Sequence, residues 1–170
     1  TDTKALFIGD GATAGGIPAT VPASVLQLVN SASQNINAAA TNLVQWSTPI
    51  PSWGVDFTFD AGVDNTKITI NTAGTYAISC TVAYTTVGTR YNGMLDTIVN
   101  GAAAVGPRSS CGYTRNAGAG NDNGSLHVPF FLYPFAAGAY IQMQVTREAT
   151  TTGTTSTTAQ RSVLTLMRIK

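Results

Sequence analysis

Charge is scarce in this chain. Only 10% of its 170 residues are charged, glutamate occurs once, at Glu148, and lysine is confined to Lys4, Lys67 and Lys170. The residues that normally clothe exposed helix faces are therefore missing, which argues against a helical protein. The formal net charge is +1, and Arg90, Arg108, Arg115, Arg147, Arg161 and Arg168 are scattered rather than clustered. A chain without a basic patch has no electrostatic footprint for nucleic acid or an anionic membrane, so neither is an expected partner. No apolar run approaches the ~20 residues of a membrane helix, and no membrane insertion is expected. The opening T-D-T-K-A-L-F-I-G-D carries one lysine and no apolar signal core. It reads as neither secretory nor lipidated, so synthesis in a cytoplasm is expected.

Reactive side chains are equally sparse. His127 is the sole histidine and lies in an apolar, alternating run, where a structural role is the simpler reading. No nucleophile-elbow motif supports a Ser-His-Asp set, so no enzymatic activity is expected. Cys80 and Cys111 are the two cysteines and form no C-x-x-C motif. A cytoplasmic origin disfavours a disulfide between them, and Cys80 reads as a small buried hydrophobe. Asp56, Asp60 and Asp64 recur at intervals of four, and Asp56 and Asp60 share a face if the strand through them is regular. Such a set would begin a calcium site, but aspartates beside a turn more commonly form the turn itself. The run Gly9 to Gly16 lacks the Gly-Lys-Ser/Thr ending of a phosphate loop. No metal or cofactor is expected.

What is abundant is apolar and small. Hydrophobic residues make up 44% of the chain, with threonine, serine, asparagine, alanine and glycine supplying most of the rest. That balance excludes a disordered chain and suits short strands and tight turns. The length fits one domain with a real core, residues 23–170, preceded by a glycine- and proline-rich arm, residues 1–22. In the arm, Ala5 to Ile8 forms a short apolar piece that either pairs as a strand or inserts into a partner.

The clearest strand runs from Tyr76 to Tyr84. Tyr76, Ile78, Cys80, Val82 and Tyr84 alternate with Ala77, Ser79, Thr81 and Ala83. This period of two predicts a strand with one bulky, buried face. The small face either sits in water or admits another backbone or subunit. Further strands are expected at Leu43–Trp46, Val55–Asp60, Lys67–Ile70, Gly93–Val99, Tyr140–Thr146 and Val163–Ile169. Asn100-Gly101 predicts a type I′ hairpin turn, because both residues tolerate the left-handed conformation. Pro129 makes 126–133 an edge or bulged strand. Residues 23–34 fit either strand or helix, with strand preferred. Pro49 and Pro51 punctuate, while 106–124 and 149–160 read as loops. The closing strand is apolar on both faces and must be covered on both. Together these predict an all-β antiparallel sandwich or jelly roll of about eight to ten short strands.

The succession N-I-N-A-A-A-T-N-L-V-Q-W (35–46), V-D-F-T-F-D (55–60), I-T-I-N-T-A-G-T-Y-A-I-S-C-T-V-A-Y (68–84), I-V-N-G (98–101), A-A-G-A-Y-I-Q-M-Q-V (136–145) and S-V-L-T-L-M-R-I (162–169) resembles the jelly roll of tumour necrosis factor and the globular heads of complement. That family forms trimers with their inner sheets around a threefold axis, and the resemblance implies a homotrimer here. On that reading Ala77, Ser79, Thr81, Ala83, Val163 and Met167 line the subunit interface. One departure is Ala139, where the family often has an acidic residue after the turn glycine, here Gly138.

The segment F-I-G-D-G-A-T-A-G-G-I-P is similar to one found near the start of bacteriophage tail-fibre and other virion proteins. The similarity implies a virion protein, displayed on the outer surface of the particle. Leu6, Phe7, Ile8, Gly9, Asp10 and Gly11 would anchor the arm to the major capsid protein or another virion component. Arg90, Tyr91, Tyr113 and Arg115 lie in or beside loops and are of the types that enrich recognition surfaces. Contact with a host-surface glycan or protein is one reading of them, and packing between strands or subunits is the other.

Overall fold

The computed structural model describes residues 7–8, 17–18, 24–87, 90–111, 114–115, 122–148 and 153–169. Among these no helix occurs. The strands are β1 (Phe7–Ile8), β2 (Ile17–Pro18), β3 (Val25–Val29), β4 (Thr41–Leu43), β5 (Thr48–Trp53), β6 (Phe57–Thr58), β7 (Ile68–Ile70), β8 (Gly74–Val87), β9 (Arg90–Tyr91), β10 (Gly93–Val99), β11 (Ala104–Ser110), β12 (Thr114–Arg115), β13 (Asn123–Phe135), β14 (Tyr140–Arg147), β15 (Thr154–Thr157) and β16 (Val163–Arg168). One sheet has the order β13-β8-β16-β3-β5, with β15 also pairing β8; the other has β11-β10-β14-β7-β6, with β4 also pairing β14. Every pairing is antiparallel.

The alternation along β8 does what its pattern predicts. Tyr76, Ile78, Cys80, Val82 and Tyr84 are all buried between the two sheets. They pack with Leu26, Leu28, Leu164 and Leu166 of their own sheet and with Ile68, Ile70, Leu95, Ile141, Met143 and Val145 of the other. Each fully buried aliphatic or aromatic side chain contributes about 1.5–3 kcal/mol by leaving water, which makes this interface the main source of stability. Tyr76 adds directional contacts: its hydroxyl donates to the Thr72 carbonyl at 2.5 Å, and its ring meets Phe57 and Phe135 edge-on. The closing strand β16 lies centrally, between β8 and β3, as its apolar character required.

Two sequence signals are realised closely. Asn100 and Gly101 have φ of 53° and 67°, and the Ala102 amide donates to the Val99 carbonyl, closing the hairpin between β10 and β11. Pro129 sits in an edge strand at a register shift between Val128 and Phe131, so β13 is both edge and bulged.

Other expectations are corrected. Pro49 and Pro51 do not end regular structure but lie within β5, which among the described residues pairs only with β3; an edge strand has no second ladder to lose. The supposed loop at 106–124 begins as β11, whose Gly106, with φ of 70°, bends an irregular stretch of the ladder. A Cβ there would come within 2.2 Å of the Phe131 ring, so glycine lets β11 close against β13. The threonine-rich 149–160 segment contributes β15, paired with the end of β8. The strand expected over 55–60 contracts to β6, and that over 43–46 is replaced by β4. These additions raise the strand count beyond the eight to ten expected.

Shortening of the 55–60 strand separates the three aspartates. Asp56 turns to Arg168 at 3.4 Å, whereas Asp60 accepts from the Gly62 amide and Asp64 from the Thr66 amide and hydroxyl. Asp60 and Asp64 are thus turn formers. Hydrogen bonds from Thr72 and Ser24, reinforced by Arg168, hold the Asp56 carboxyl below the usual carboxylate range. A depressed folded value contributes stability above the unfolded carboxylate pKa, about 3.9, and loses it as pH falls through the folded value. Asp56→Asn should therefore melt below the parent at neutral pH, with the gap closing below about pH 4. Thermal melts across that range check this.

Candidate assembly surface

Because the even positions of β8 enter the core, its odd positions must face outward. Register places Val25, Met167, Ala77 and Leu132 in one row across β3, β16, β8 and β13. The next row holds Gln27, Thr165 and Ser79, and the third Val29, Val163, Thr81 and His127. Ala83 opposite Ser125 continues the surface. The six residues singled out from the sequence, Ala77, Ser79, Thr81, Ala83, Val163 and Met167, thus share one face by register, but Ala77 is only 2% exposed and is covered within the chain itself.

None of the residues in these rows is Asp, Glu, Lys or Arg. Their polar groups pair laterally: Gln27 Nε2 donates to Thr165 Oγ1 at 3.3 Å, and Thr81 Oγ1 lies 2.9 Å from His127 Nδ1. Small side chains at the centre keep the face flat. Leu132, 55% exposed, stands at one end, beside the bulge that carries Phe130, 62% exposed. The other sheet differs. On β10, Asp96 is buried and holds Arg108 in a two-pronged ion pair, with Nε to Oδ1 at 2.6 Å and Nη2 to Oδ2 at 3.1 Å.

Comparison with known proteins adds an independent view of this architecture. No protein-family model matches the sequence, and no curated protein matches it. Among solved structures, the chain is similar to murine APRIL, with a TM-score of 0.58 and 15% identity over 87% of this chain and 100% of that one. It is also similar to Eiger TNF from S. frugiperda, with a TM-score of 0.52 and 14% identity over 88% and 94% of the two chains. The fold is a TNF-like jelly roll.

At one end of the jelly roll, β9 pairs with β12, bringing Arg90 opposite Arg115 and Tyr91 opposite Thr114. Arg90 is exposed, but Tyr91 is fully buried and corrects the expectation of a surface recognition role. Its ring packs edge-on against Tyr84 at 5.0 Å, and the Tyr84 hydroxyl pairs with Thr114 Oγ1 at 2.9 Å. Burial pushes both phenols well above their ordinary range. Tyr113 lies outside the described residues. So do Leu6, Gly9, Asp10 and Gly11 of the arm, whose Phe7 and Ile8 pair antiparallel with Pro18 and Ile17.

His127 is exposed, because alternation along β13 sends Leu126 and Val128 inward and His127 outward. Cys80 is a free, buried thiol whose acidity burial suppresses, and Cys111 is free and partly exposed. Leu132, Phe130, Val25, Gln27 and Thr165 were not singled out from the sequence. Leu132 joins the outward face through the β13 bulge, and the strand partners of β8 are set by topology.

Proposed function

We propose that this chain is a structural bacteriophage virion protein, a homotrimeric decoration or head-fibre subunit attached through its N-terminal arm. The observation that carries the assembly reading is the flat, uncharged outer face of β3, β16, β8 and β13. A sheet face without formal charge loses little on desolvation and gains by meeting a similar face. The virion setting rests on the similarity of the Phe7–Pro18 segment to those near the start of virion proteins.

Solution mass measurement tests assembly: a trimer is expected, and a stable monomer at micromolar concentration would overturn it. Removal of residues 1–22 should leave a folded trimer that no longer joins the particle. Normal incorporation of the truncated chain into purified virions would show that the arm is not the anchor.

Exposed Arg90, on the ribbon of β9 and β12, favours a second reading as the receptor-binding tip of a tail fibre. Loops at 85–92, 106–124 and 149–160 would then meet a host glycan or protein. Copy number separates the two readings: many copies on capsids support decoration, and a few at the tail support receptor binding.

A further inference from the structure

Three Asn-Gly pairs occur in the chain, at Asn92-Gly93, Asn100-Gly101 and Asn123-Gly124. Such pairs can cyclise when the glycine nitrogen reaches the preceding carboxamide, since glycine adds no side chain to obstruct the approach. The first pair differs from the others in what surrounds it. The Gly93 amide donates to Cys111 Sγ at 3.1 Å, and the same sulfur donates its proton to Asn92 Oδ1 at 3.7 Å. One atom therefore touches both reacting groups, the attacking N–H and the carbonyl it would attack. On the far side, Asn92 Nδ2 donates to Glu148 Oε2 in a short contact, which turns Oδ1 towards the thiol. Backbone bonds brace the arrangement: Cys111 N donates to the Gly93 carbonyl and Glu148 N to the Asn92 carbonyl, both at 3.0 Å.

Neither other pair is set up in this way. Asn100 spends its Oδ1 on the Tyr140 amide at 2.9 Å, in a turn with positive φ. Asn123 directs Nδ2 to Asp122 Oδ1 at 3.3 Å from within β13. Among the described residues, no side chain bridges the glycine N–H and the carboxamide at either.

We infer that Asn92-Gly93 is a self-modification site, at which Cys111 relays the proton that closes a succinimide ring. The Gly93 nitrogen forms a bond to Asn92 Cγ while its proton passes to the sulfur. The thiol proton goes to the carboxamide, and the Cγ–Nδ2 bond then breaks, with nitrogen leaving as ammonia. Water reopens the ring to aspartate or isoaspartate, and no oxidant or other co-reactant is needed. Glu148 acts as a positioning residue. The product places a second carboxylate beside Glu148 where an amide had donated, so repulsion replaces attraction between the start of β10 and the end of β14. The modification would loosen that end of the jelly roll, next to Arg90.

Peptide mass spectrometry of the intact chain, kept at neutral pH either folded or unfolded in urea, tests this. Folded Asn92 should lose ammonia and then gain water about a hundredfold faster than in urea, the lower range for a positioned proton relay. Asn100 and Asn123 should react no faster folded than unfolded. Cys111→Ala should return folded Asn92 to its rate in urea, and Glu148→Gln should slow it less. An Asn92 rate no greater in the folded chain than in urea overturns the proposal, and that comparison needs no variant to fold. A folded Cys111→Ala protein with the parent rate also overturns it.

Discussion

Ile78→Ala should lower the stability of the domain by ~2–5 kcal/mol, read from the midpoint of urea unfolding. Ile78 is fully buried at the centre of β8, with Leu166 on one side and Phe131 on the other. The substitution removes its apolar contacts and leaves a cavity that two flanking ladders prevent from collapsing. A conservative Ile78→Val change should cost only about 0.5–1.5 kcal/mol. Near-equal midpoints for the parent and the alanine variant would mean that β8 is not the spine of the core.

Ser79→Trp should act on the opposite side of the same strand and produce the opposite pattern. Ser79 lies between Thr165 and the β13 bulge, facing away from the core. Its indole would stand proud of a face whose neighbours are small, costing ~1–3 kcal/mol of overpacking at each contact with another subunit. In the proposed trimer that cost recurs at every interface, so association should fail while the unfolding midpoint of the isolated domain stays near its original value. Light scattering with urea unfolding separates the two effects. A trimer that survives the tryptophan would remove this face from the interface.

The two substitutions also show what could be read in advance. Both faces of β8 were legible because nine residues alternate without interruption, so burial of one set dictates the position of the other. Asn100-Gly101 was legible because its φ requirement is local. The missed elements depend on distant partners. β15 is a run of threonines and serine that becomes a strand only because the end of β8 offers unpaired backbone. β5 keeps its prolines because it lies at an edge, which no local pattern states.

The composition of the outward face was partly legible for the same reason. Its β8 and β16 residues follow from alternation and the resemblance to a trimeric family. Leu132 does not: even positions Leu126 and Val128 point inward, and an unbulged strand would send Leu132 inward too. The extra residue at the bulge transfers the inward role to Phe131, Tyr133 and Phe135. The change of phase from even to odd apolar positions was the available signal. Of the two readings the sequence left open for Tyr91, its burial selects packing, because its ring closes the end of the core over Tyr84.

The prolines and irregularities at the sheet borders bear on growth as well as on fold. The border strands β13, β5 and β11 carry Pro129, Pro49 with Pro51, and Pro107, while β6 spans only two residues. An incoming strand would meet missing amide donors, kinks or too short a template. Sheet extension from copy to copy is thereby discouraged, so the protein would be steered away from fibrous aggregates even at high concentration.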